Sequence, residues 1–252
     1  VTHDLYVHLD TTNNAVVTKG ISHEDFYQGL FHRPKNLLLL DETTEAGQFE
    51  PHTALKMIEG PQEVAAYLAG LRIRREKNPV KWVDFSDLAM LKQLTPQEIA
   101  ELLYFGHMKM HLRAPFFYKL QNNFAYFELN PEFNRVYYRY IEEFYGILGQ
   151  KITTCVLEKL NEKKSFFKRP QQVSVLPEEV LKELRPFLLE GVAFRSCQAE
   201  AGDHEFKMPM YIVEDQIAKA DGEYLDRLDP DAFLIYQTKL KNWRLELNRQ
   251  IF

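Results

Sequence analysis

Two imidazoles four residues apart, in His107-Met-Lys-Met-His111, form a spacing that could hold a metal. On a continuing helix they share one face, within reach of one cation. No glutamate stands between them to act as general base, as a zinc-hydrolase helix requires. Pro115 follows closely, and histidines at a helix end are favoured by the helix dipole alone. His107 and His111 are the metal candidates on this reading, set against ordinary solvated histidines. His3, His8 and Asp10 make a second set, with His8 and Asp10 on one side of a strand about 7 Å apart by strand rise. Asp203-His204-Glu205 reads as a solvated turn, because sequence neighbours rarely face one another. Cys197 would need His204 as its base. Its alternation with Arg195 and Ala193 instead makes it a small residue on a packed sheet face.

Arginine among aromatics carries the other candidate chemistry. Tyrosine and phenylalanine number 13 and 18 against two tryptophans, and they crowd between Tyr104 and Tyr145. Arg113, Arg135, Tyr137 and Arg139 lie in that stretch. Exposed rings that stack bases beside guanidiniums that take phosphates would hold single-stranded nucleic acid. The net charge of −5 argues against that partner, and no RNA-binding Gly-Phe-Gly-Phe strand occurs. Burial of the rings in a core is the competing expectation, since aromatic side chains remove a large apolar area from water. Two further basic runs, Arg72 to Lys81 and Lys159 to Arg169, read as solvated element ends.

Several function classes lack their motifs. Glycine-rich phosphate loops and the P-loop pattern are absent, and only 11 glycines occur. There is no Gly-x-Ser-x-Gly elbow and no Cys-x-x-Cys pair. No cofactor is expected. Cys155 and Cys197 cannot build a disulfide framework and read as reduced thiols. Apolar runs such as Leu37-Leu38-Leu39-Leu40 fall far short of a membrane span, and the first ten residues do not read as a signal peptide. A cytoplasmic location without membrane contact is the expectation.

The elements that would position these residues are a mixture of strands and helices. Leu5 to Asp10 and Ala15 to Thr18 alternate around Thr11-Thr12-Asn13-Asn14 and predict a hairpin. Ser22 with Asp25, and Thr95-Pro96-Gln97-Glu98, are capping boxes that open helices. Phe26, Leu30 and Phe31 form the expected buried stripe of the first. Pro61 opens another helix, and Lys81 to Phe85 alternates as a strand. Ala114 to Leu120, Phe124 to Leu129 and Asn134 to Tyr140 predict a three-stranded meander, with Arg135, Tyr137 and Arg139 on one face and Val136, Tyr138 and Tyr140 on the other. Glu142 to about Lys164 is helical, with a break expected near Gly149. A helix from Pro177 stops near Pro186. Gly191 to Cys197 pairs with Phe206 to Val213. Phe233, Tyr236, Leu240, Trp243 and Leu247 recur at spacings of 3 and 4 and predict a long amphipathic final helix.

The expected fold class is α+β: antiparallel hairpins and a meander packed against amphipathic helices. Two halves are expected, 1–111 and 112–252, or one mixed domain. The functional expectation is a non-enzymatic cytoplasmic binding or regulatory protein, with a protein partner or self-association through the C-terminal helix. Whether the chain is an enzyme stays open. The alternatives are a metal-assisted or hydrolytic enzyme on dispersed His, Asp and Glu, and a single-stranded nucleic-acid binder.

Overall fold

The computed structural model describes residues 4–40, 46–71, 79–107, 115–162, 171–202, 204–213 and 222–248. The first elements in chain order are β1 (Leu5–Asp10), β2 (Ala15–Lys19), α1 (His23–Gly29), β3 (Asn36–Leu39), β4 (Gln48–Glu50), β5 (Leu55–Glu59), α2 (Pro61–Gly70), β6 (Lys81–Phe85), α3 (Leu88–Leu91) and α4 (Pro96–His107). They are followed by β7 (Phe124–Glu128), β8 (Phe133–Tyr138), α5 (Glu142–Asn161), α6 (Glu178–Glu190), β9 (Val192–Phe194), β10 (Glu200–Ala201), β11 (Glu205–Ile212), α7 (Gly222–Leu225), β12 (Ala232–Gln237) and β13 (Asn242–Leu247). The fold is mixed α+β, and every strand pair whose register is described is antiparallel. No described helix is long and apolar enough to cross a membrane.

Packing groups the chain into two compact units, each drawn from separated segments. One comprises Asp10–Val17 and Ile21–Phe144. Its strands run in the order β4, β5, β3, β6, β7, β8. Successive residues of β6, β7 and β8 are buried on both faces, so they read as near-continuous apolar runs instead of a clean alternation. On one face Phe26 of α1 meets Trp82, Phe124 and Tyr126 edge-on, with ring centroids 5.4 to 5.7 Å apart. On the other, Phe105 of α4 packs at 4.3 Å on Phe127 and at 6.3 Å on Tyr137. Offset and edge-to-face rings of this kind contribute about 1 kcal/mol each beyond their buried area. The mid-chain aromatics are thus largely core.

Both capping boxes form. Ser22 Oγ accepts from Asp25 N at 3.1 Å, and the Asp25 carboxylate accepts from Ser22 N at 2.9 Å. Thr95 and Glu98 repeat the arrangement, at 3.3 and 2.7 Å, and Lys119 Nζ adds an ion pair to Glu98 at 2.7 Å. Pro61 stands at the start of α2, where its missing N–H costs nothing.

The other unit comprises Val1–Leu9, Thr18–Gly20 and Tyr145–Phe252. Its strands run β1, β9, β11, β12, β13, with β10 beside β11. α6 continues through Pro186 to Glu190, past the stop its proline predicts. α5 continues through Gly146 and Gly149 without the expected break.

Three further expectations are corrected. Ala114 to Leu120 is not the first strand of a meander: 115–117 have no regular structure, 118–121 form a turn, and β7 pairs with β6 instead. Asn122 makes this possible. Its buried amide bonds Pro115 O, Phe124 O and Phe117 N at 2.7 to 3.1 Å, giving the loop's backbone partners that strand pairing would otherwise supply. Phe31 does not join the buried stripe of α1; it stands 71% exposed. The final amphipathic helix is a β-hairpin, β12–β13, with Tyr236 opposite Trp243 and Leu234 opposite Leu245. The spacing of 3 and 4 arises because Tyr236 and Trp243 meet across the hairpin while Leu240 sits exposed on its turn. Pairing with β11 secures the strand-forming run Phe-Leu-Ile-Tyr. The route to self-association through a C-terminal helix therefore lacks its helix.

Candidate functional site

Of the sites marked in the sequence, His111 and Arg113 lie outside the described residues. His107 is the last residue of α4, and its side chain lies outside them too. Among the described residues no group of three His, Cys, Asp or Glu side chains is placed to hold a metal ion. Tyr137 is 2% exposed and belongs to the core with Leu102, Phe105 and Phe127. Arg139 turns inward to donate from Nε to Asn122 O at 2.8 Å, with its guanidinium 5.2 Å over Phe116. Arg135 is half-buried, with a buried, unpartnered Nε. The buried Tyr137 ring is therefore not open for stacking. His3 and Asp203 lie outside the described residues. Asp10 spends its carboxylate on the turn, accepting from Thr12 N, Asn13 N and Asn13 Nδ2 at 2.6 to 3.2 Å. His204 Nε2 lies 3.3 Å from Lys239 Nζ.

Cys197 is an exposed free thiol 3.6 Å from Asp4 Oδ2. Partial burial, then the hydrogen bond to Asp4, push its pKa up, away from a ready nucleophile. The network beside it centres on Arg195, a buried guanidinium bonded to Asp4 at 3.1 Å and Asp226 at 2.6 Å. Gln198 and Tyr211 extend it at 2.7 Å each. A side chain at Gly222 would meet Arg195 Nη1 at 2.7 Å, so glycine is what lets α7 approach. A buried cation held by two carboxylates is a structural clamp that fixes this corner.

A different pairing, unmarked by any sequence motif, stands on the surface. Glu143 occupies the first turn of α5, where the helix dipole favours a carboxylate. Its side chain is only 4% exposed. It accepts from Phe31 N at 2.8 Å, from His32 N at 3.4 Å and from His32 Nδ1 at 2.5 Å. A carboxylate only accepts, so this contact puts a proton on Nδ1. The His32 side chain is 80% exposed and offers Nε2 to solvent. Below it lies Tyr138, whose hydroxyl pKa is raised by burial and then by Glu143.

Leu30 is buried where α1 ends, and Pro34 is buried four residues on. These two anchors push Phe31, His32 and Arg33 outward as a short arch. Arg33 lies over the Tyr27 ring at 5.2 Å. Glu143 N bonds Tyr140 O at 3.2 Å, and the Tyr140 side chain is 58% exposed. One buried carboxylate thus fixes the backbone of Phe31 and His32 and the His32 imidazole, while the Glu143 N–H ties the Tyr140 backbone to the start of α5. The separation of 111 positions between His32 and Glu143 explains why local spacing gives no sign of it.

Compared with protein-family models, curated proteins and solved structures, the chain gives no match.

Proposed function

We propose that this chain is a non-enzymatic binding or regulatory protein, and that the Phe31–Arg33 arch with Tyr140 engages a protein partner. The observation that carries this reading is the grip of Glu143 on the arch. Three hydrogen bonds to one buried carboxylate hold an outward-facing phenylalanine in place. Burying a carboxylate is costly unless its bonds are fully used. Here the bonds preorganise an exposed aromatic, which lowers the ordering cost of association. Aromatic and arginine side chains dominate binding energy at protein interfaces. That neither Cys155 nor Cys197 is in a disulfide fits a reducing, cytoplasmic compartment.

The test is a photo-crosslinking phenylalanine at position 31, with the same group at Tyr118, which is 91% exposed, as control. A discrete adduct is expected in cells at 31 and not at 118, fading when Tyr140 and Arg33 become alanine. Phe31→Ala should weaken that partner by about 10- to 30-fold, the roughly 1.5–2 kcal/mol of an aromatic hot spot. No adduct at 31, or the same adduct at both positions, overturns the reading.

A second reading rests on the same contact. A carboxylate on Nδ1 that leaves Nε2 free orients an imidazole as a general base. On that reading His32 serves a hydrolytic enzyme, and an ester or amide hydrolysis that His32→Gln abolishes, at unchanged stability, would favour it over simple binding.

A further inference from the structure

Among the described residues β13 pairs on one side only, with β12. Asn248 N donates to Asp231 O at 2.9 Å, so by alternation the backbone groups of Asn242, Arg244 and Glu246 also turn toward β12. The N–H and C=O groups of Trp243, Leu245 and Leu247 then turn outward along a six-residue edge that no described strand pairs with. Trp243, Leu245 and Leu247 share one face of the strand, and Leu247 is 53% exposed. Arg244 and Glu246 share the other. They bond each other at 2.7 Å, and Glu246 also holds Lys207 at 3.0 Å.

We propose that β13 is a self-association site, where the same strand of a second copy adds antiparallel about a two-fold axis through Leu245. The occupant is argued from charge. With Leu245 opposite Leu245 of the copy, each Arg244 faces a Glu246 of the other chain, twice by symmetry. Arg244 and Glu246 then form the pairs without backbone bonds, where opposed side chains approach most closely. Leu245 with itself, and Trp243 with Leu247, are the pairs that exchange backbone hydrogen bonds, which matches their outward-facing groups. The neighbouring two-fold registers fail. Centring on residue 244 sets Arg244 against Arg244, and centring on 246 sets Glu246 against Glu246, with like charges directly opposite. Charged residues on an edge strand ordinarily repel a second strand, but this pattern repels the two adjacent two-fold registers and favours the one centred on Leu245. The same pairing brings Trp243 of one copy beside Leu247 of the other and covers the exposed leucine.

Sedimentation velocity of the full chain, from about 1 to about 100 µM, reads the equilibrium directly. A dimer is expected at the upper concentration. Arg244→Glu and Glu246→Arg should each weaken it by about 30-fold or more, because two attractive pairs become repulsive. The double exchange R244E/E246R restores opposite charges and should restore the dimer. Leu245→Pro removes an outward N–H that β12 does not use, so it should abolish the dimer while the thermal transition persists. A wild-type chain that stays monomeric at the upper concentration overturns the proposal. So does a dimer indifferent to both single charge changes and to Leu245→Pro, and a double exchange that stays as weak as the singles overturns the register.

Discussion

Two titratable side chains, Asp84 buried and His23 partly buried, pull on stability in opposite directions over the same pH range. Asp84 is buried on β6, and burial raises its carboxyl to about 7, against the hydrogen bonds it accepts from Asn123 N and Phe124 N. Its folded pKa lies above its unfolded one, so its contribution is full below about 4 and is lost as pH rises toward 7. His23 packs on Tyr126 at 4.7 Å, and burial lowers its imidazole to about 4. Its contribution is full above about 6.5 and is lost as pH falls toward 4. Urea unfolding of the native chain between pH 4 and 8 should therefore show a shallow profile. Asp84→Asn keeps an oxygen for both N–H groups and leaves only the histidine, so its stability should fall on acidification. His23→Phe leaves only the carboxyl, so its stability should fall as pH rises from 4 to 7, by an amount on the order of a few kcal/mol. Identical profiles for the two variants would contradict the assignment. Neither environment shows in the sequence, where Asp84 reads as one polar residue of an alternating strand. Local signals fare better: Ser22–Asp25 and Thr95–Glu98 are legible because each box closes within four residues. The bond from Glu143 to His32 closes across most of one unit, and no local pattern announces it.

The element scale shows where periodicity misleads. Strands with both faces buried, such as β7 and β8, lose the alternation that marks a strand, yet their aromatic and β-branched content still gives them away. The final hairpin fails for the opposite reason. Two strands and a four-residue turn can place apolar residues at helical intervals by coincidence. Lys241 decides between the two structures. It sits at φ 53 as the last turn residue, with its N–H bonded to Gln237 O at 2.8 Å. A left-handed conformation is costly for any residue with a Cβ and free for glycine. Lys241→Gly should therefore stabilise the chain by about 0.5–1 kcal/mol in chemical denaturation, even after the extra freedom of the unfolded chain. In the interior of a helix the same change would cost about 1 kcal/mol. The sign of the effect thus separates the hairpin from the helix that the spacing suggests.

At the scale of the whole molecule, chain order and packing part company. The unit that contains Tyr145–Phe252 also takes Val1–Leu9 and Thr18–Gly20 from the far end of the sequence. Linker composition cannot announce such a division, because no linker separates the segments that pack together. β1 pairs with β9 in the register Leu5 to Phe194, Tyr6 to Ala193 and Val7 to Val192, and all six side chains are buried. Asp4, just before β1, is one of the two carboxylates that hold the buried Arg195. A fragment spanning 145–252 would lose this strand, open an edge on β9 and leave Arg195 with half its counter-charge. Fully burying a large apolar side chain is worth about 1.5–3 kcal/mol, so losing Leu5, Tyr6 and Val7 removes much of the roughly 5–15 kcal/mol that holds a domain together. The fragment alone should show no sharp thermal transition by circular dichroism. Adding a peptide of residues 1–20, which carries β1 and the 18–20 segment, should restore one, and Asp4→Ala in that peptide should weaken the restoration. A fragment that melts as sharply without the peptide as with it would mean that β1 is an accessory strand and that Arg195 is held well enough by Asp226 alone.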